Sequence, residues 1–199
     1  ENIMPLGANK AAIMGVAGVS TADVVLLSSQ TASDDATIDF TSGIDSTYGV
    51  YIFKFYIIDP GTDRGSLKVQ FNASGESGYN ETITSTAFRS NHFEDDSEPF
   101  VTYTAAEDQA QGTSFNHLVG DIGFTGNECA AGEFHLYDPS STTYVTHWHS
   151  EVQCKAGGYY LHHSFNSGYV NTTAAITNVQ FKMHNGNIAS GVFKMWGVK

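Results

Sequence analysis

The chain has 199 residues, 41% of them hydrophobic and only 15% charged, and its 21 acids against nine Lys and Arg give a net charge of −12. That length suits one domain with a substantial core. The acidity, with no cluster of cations in the sequence, excludes nucleic acid and anionic membrane surfaces as partners.

Residues 1–22 read as an arm, weakly apolar and broken by Gly7, Gly15 and Gly18. They lack the basic start and continuous apolar centre of a secretory signal. No stretch approaches the length of a membrane span, so membrane insertion is not expected. Val24 to Leu27 opens the strand series, and residues 36–40 alternate cleanly. Residues 49–59, GVYIFKFYIID, form the strongest strand, apolar on nearly both faces and therefore central. Pro60-Gly61-Thr62-Asp63 breaks it with a turn, after which Leu67, Val69 and Phe71 mark a strand that should pair back on it.

Residues 72–81 form a polar loop, and strands are expected over 82–88 and 100–104 around the acidic loop Glu94-Asp95-Asp96-Ser97-Glu98. Residues 105–114 can make one helical turn at most. Further strands fall at 118–124, 133–137, 144–152, 159–165 and 174–183. In the final stretch Val179, Phe181 and Met183 alternate with Gln180, Lys182 and His184, and Asn185-Gly186-Asn187 supplies the positive φ of a tight turn. The chain is therefore expected to end in a half-exposed antiparallel hairpin. The fold expected is all-β, an antiparallel β-sandwich of roughly ten strands over residues 23–199. Cys129 and Cys154 are too few for a disulfide scaffold, and whether they pair is open.

His147-Trp148-His149-Ser150-Glu151 is the most suggestive constellation. On a strand, His147, His149 and Glu151 share a face, so two imidazoles and a carboxylate could approach one metal. The cupin enzymes use a similar His-x-His followed by Glu, but with three or four residues before the Glu and a Gly six residues upstream. Here Glu151 follows after one residue, and the upstream position is Ser141. Three such side chains also span about 13 Å, too far for all to reach one ion. His147 and His149 remain the metal candidates, with help from His135, His162 or His163. The acidic loop offers oxygen ligands for calcium but lacks the alternation and glycine of an EF-hand, which favours a solvated charge run. There is no Gly-x-Ser-x-Gly elbow, no Cys motif and no phosphate-cradling glycine loop.

Three segments together resemble a family of small virion proteins of tailed bacteriophages, especially marine and cyanobacterial ones. They are VVLLSSQTASDDATIDFTSGIDSTYGVYIFKFYIIDPGTD, GEFHLYDPSSTTYVTHWHSEV and SGYVNTTAAITNVQFKMHNGNIASGVFKMWGV. The resemblance covers roughly residues 24–60 and 132–198. It implies a jelly-roll-like sandwich, often a homotrimer, displayed on the virion surface, with no catalytic residues and no cofactor. The expected function is then a non-enzymatic structural protein, decorating the capsid or forming part of a tail fibre and synthesised in the host cytoplasm. The arm would fasten it to other virion proteins through Ile3, Met4, Leu6, Ile13 and Met14, ordering on its partner. One alternative is receptor binding by a fibre tip, in which exposed Trp148, Tyr144, Tyr159 and Tyr160 stack on host surface polysaccharide. A cupin-like metalloprotein ranks last.

Overall fold

The computed structural model describes residues 23–199, so the expected arm and its anchoring side chains lie outside the described residues. Twelve strands follow one another with no helix among the described residues. They are β1 (Val24–Asp35), β2 (Ile38–Phe40), β3 (Val50–Pro60), β4 (Gly65–Ala73), β5 (Ile83–Phe93), β6 (Phe100–Tyr103), β7 (Asn116–Ile122), β8 (Ala130–Tyr137), β9 (Thr146–Ala156), β10 (Tyr160–Val170), β11 (Ile176–Met183) and β12 (Ile188–Val198). Every pairing is antiparallel.

The larger layer runs β1-β12-β3-β8-β9-β10-β5-β6, and the smaller runs β7-β4-β11-β2. A single residue pair, Ile122 with Ala156, joins them. The all-β sandwich expected from alternation is the fold observed.

Alternation also explains the core. Along β9, and along β12 from Gly191 onward, every second residue is buried, which leaves one inward and one outward face. Phe181 of β11 packs edge-on against Phe53 and Phe55 of β3, with ring centroids 5.4 and 5.2 Å away, and meets Phe193 of β12 at 5.7 Å. Phe40 of β2 meets Phe53 at 5.1 Å, and Phe71 of β4 meets Phe134 of β8 at 5.9 Å. These rings come from both layers, so the aromatic cluster holds the sandwich shut. Burying each contributes about 1.5–3 kcal/mol before the cost of ordering.

Three expectations need correction. The terminal segment is not a hairpin: β11 pairs with β4 and β2, whereas β12 pairs with β1 and β3. The turn at Asn185-Gly186-Asn187 exists, with Gly186 at φ 69°, but it carries the chain from one layer to the other. The turn after β3 does the same, so β4 does not pair back on β3. The two crossovers rest on each other, with the Gly61 amide donating to the Asn187 carbonyl at 2.8 Å.

The third concerns β1, which runs on through SSQTASDD to Asp35, well past the apolar residues that announced it. Its partner defines it, since residues Val24 to Asp35 follow β12 from Val198 back to Ile188. Residues 105–114 form a turn over β5 rather than helix; the Ser85 amide donates to Gln109 O at 2.9 Å, and Ile83 and Gly112 bond mutually.

Candidate functional site

The outward face of the larger layer carries the densest chemistry. β8 presents Glu133, His135 and Tyr137, and β9 presents His147, His149 and Glu151 directly opposite. His135 and His149 stack with centroids 4.5 Å apart and planes inclined by 21°. The Tyr137 hydroxyl lies 2.9 Å from His149 Nδ1, and His135 Nε2 lies 2.8 Å from Glu133 Oε1. Lys54 Nζ of β3 reaches Glu133 at 3.3 Å, and His163 Nε2 of β10 reaches Glu151 at 3.0 Å.

Electrostatics follow from this packing. Burial and the neighbouring His135 depress the His149 pKa below the ordinary imidazole value. Burial pushes the Glu133 carboxyl up, but His135 and Lys54 outweigh it and leave the group more acidic than usual. Glu133 and Glu151 face each other across the strands, the first contacted by Lys54 and the second by the His163 ring. The result is a band of stacked rings, donors and acceptors, with a shallow depression over Gly132 lined by Lys54, Tyr56, Glu151 and Gln153.

No group of three or more His, Cys, Asp or Glu side chains suited to an ion occurs among the described residues. His147 and His149 do share a face, as expected. His149, however, is engaged by Tyr137 and His135, and His147 lies against the Tyr169 ring at 6.0 Å. In the acidic loop Asp95 caps its own turn by accepting from the Ser97 amide at 3.0 Å.

The four glycan candidates are not brought together. Trp148 is only 2% exposed and stacks on Phe134 inside the sandwich, so it cannot meet a sugar ring. Tyr160 is 8% exposed, and its hydroxyl donates to Asp121 Oδ2 at 3.0 Å. Tyr144 and Tyr159 are 74% and 70% exposed. They lie beyond opposite ends of the eleven-residue β9, about 36 Å apart at roughly 3.3 Å per residue.

The sequence did not disclose an aromatic patch at the far edge of the same face. Phe165 of β10 and Phe88 of β5 are direct partners, stacked at 4.9 Å with planes 11° apart. Tyr103 of β6 sits beside Phe88, and all four residues of β6 are exposed.

Beneath it, the inward face of β10 holds His162 and Ser164, with Ser164 Oγ 2.9 Å from His162 Nε2. Both are sealed from solvent, and His162 Nδ1 has no carboxylate partner, so the pair is not a nucleophile waiting for substrate. Arg89 lies 3.8 Å from both Glu107 and Asp121 nearby. Cys129 and Cys154 are free thiols, and burial pushes the Cys154 thiol up in pKa.

No family model and no curated protein matches the chain. Among solved structures, a Bacteroides ovatus protein of unknown function from structural genomics is similar over 52% of this chain, with 4% identity and a TM-score of 0.29. The match spans 45% of that protein's own length. A likeness this partial bears on neither fold nor role.

Proposed function

We propose that the protein is a non-enzymatic structural component of a bacteriophage particle, displayed at the surface as capsid decoration or as part of a fibre. The observation that carries this reading is the eight-stranded layer with its broad outer face. Stacked imidazoles and phenols run across it into the half-buried Phe165 and the exposed Phe88 and Tyr103, and it ends at the open edge of β6. Such a face suits contact with a neighbouring copy, which would cover both the apolar surface and the unpaired backbone. A closed trimer is the assembly proposed, with residues 1–22 joining it to other virion proteins.

Light scattering on the purified chain, followed by microscopy of particles, tests the proposal. Trimers in solution, and particles that lose the protein when residues 1–22 are removed, are the expected results. A monomer at tens of micromolar, together with normal incorporation of the shortened chain, overturns it.

A second reading, attachment to host surface polysaccharide, is favoured by the exposure of Tyr144 and Tyr159. Binding on a glycan array that disappears in Tyr144→Ala or Tyr159→Ala supports it, and silence across host glycans removes it.

A further inference from the structure

The outward face of the smaller layer gathers four basic groups, Lys68, His117, Lys182 and His184, from three segments far apart in sequence. Lys68 of β4 is the direct antiparallel partner of Lys182 of β11 on one side and of His117 of β7 on the other. His184 follows β11 by one residue; its amide donates to Ser66 O at 2.8 Å, and its ring lies 6.2 Å from that of His117. Lys182 Nζ sits 4.3 Å above the Phe115 ring, which steadies the ammonium.

This arrangement is costly as it stands. Like charges directly opposite on neighbouring strands repel, and the chain has only nine Lys and Arg against 21 acids. Three of its other cations meet carboxylates, Lys54 with Glu133, Arg89 with Glu107 and Lys155 with Glu94. Among the described residues no carboxylate forms an ion pair with Lys68 or Lys182. His117 Nδ1 is buried without a hydrogen-bond partner. Burial and the adjacent Lys68 and His184 press His117 down to about 4, and burial and Lys182 lower Lys68.

We propose that this patch is a binding site for a sulfate or phosphate group. Three strands at about 4.8 Å spacing place the Lys182, Lys68 and His117 backbones within about 10 Å, so their side chains can converge on one tetrahedral oxyanion. The anion would remove the repulsion between the lysines and hydrogen-bond to His117 in its charged form. The same chemistry is offered by the free ion and by an ester on a polysaccharide. Four basic groups are too few to track a nucleic-acid backbone, which needs a longer stripe of cations.

The test is calorimetric titration of the full chain at neutral pH and fixed ionic strength, with inorganic sulfate and phosphate, sodium chloride as control, and sulfated against neutral dextran. Saturable binding of sulfate or phosphate is expected, weakened at least tenfold in Lys68→Met and in Lys182→Met and unchanged in Lys194→Met on the other layer. Both cluster variants should melt higher than the wild type without sulfate, since the repulsion is gone; this separates a lost site from a damaged fold. Saturating sulfate should also raise the His117 titration midpoint by NMR. Binding of inorganic sulfate or phosphate alone identifies the free ion. Additional binding of sulfated dextran, lost in the same variants, identifies the ester. A response no larger than that to chloride, or sulfate or sulfated-dextran binding that survives both substitutions, overturns the proposal.

Discussion

The Tyr51 hydroxyl accepts the amide of Asp45 at 2.8 Å and donates to the Asp45 carbonyl at 2.8 Å. One buried phenol thus closes the loop between β2 and β3, within the IDFTSGIDSTYG stretch. Tyr51→Phe keeps the ring and removes both bonds, leaving two backbone groups without partners. The expected loss is about 1–3 kcal/mol, read as a lower urea midpoint at unchanged slope. An unaltered midpoint would show that the loop holds itself.

Phe181 touches both layers of the core, whereas Phe165 lies on the outer face. Phe181→Ala should cost about 3–5 kcal/mol through lost burial and the cavity left behind. Phe165→Ala should cost under about 1 kcal/mol in the isolated chain. Comparable losses for the two in chemical denaturation would contradict the assignment of faces.

Stability should fall as the solution is acidified from about pH 6.5 towards 4. Burial, then Arg89, holds His162 neutral down to about 4, and His117 behaves alike. Over that window the unfolded chain takes up protons that the folded chain refuses, so stability is complete above the window and is lost on descending through it. For the fully buried His162 the drop from 6.5 to about 4 is on the order of 3 kcal/mol. Urea midpoints measured across pH in the wild type and in His162→Gln should diverge in slope there. Parallel profiles would refute the burial argument.

Gly168 lies where β10 passes under Trp148, and a methyl group there would meet Thr84 O at 2.6 Å and the indole at 2.7 Å. Gly168→Ala should therefore cost about 1–3 kcal/mol. It should also shift the Trp148 fluorescence to longer wavelength as the ring is displaced towards water. An unshifted spectrum with full stability would show that the backbone yields instead.

Residues 49–59 were legible as a strand from a long run of large apolar side chains, and 174–183 from the alternation of Val179, Phe181 and Met183 with polar neighbours. Most of β1 was not, because SSQTASDD offers no large apolar side chain to alternate, and its pairing with β12 defines it. Turn residues mark where the chain reverses, but not whether the next strand stays in the same layer. The strands around Asn185-Gly186-Asn187 would alternate identically in a hairpin and in a crossover. The buried position of Trp148 was within reach, since alternation that turns His147 and His149 outward turns Trp148 inward. The partners of those histidines were not, because Tyr137 and His135 come from another strand, and register decides who meets whom. Lys68, His117 and Lys182 were hidden for the same reason.

The Lys199 amide donates to the Asp23 carbonyl at 3.0 Å, and Val24 is paired with Val198. Whatever is fused ahead of residue 23 and whatever is fused behind residue 199 must leave from the same corner, so a tether at one end brings along cargo carried at the other. Because β12 is wedged between β1 and β3, a chain emerging from the ribosome has a vacant slot in its larger layer until residues 188–198 arrive. Assembly of that layer is obliged to wait for β12, a long-range closure of the kind that folds slowly.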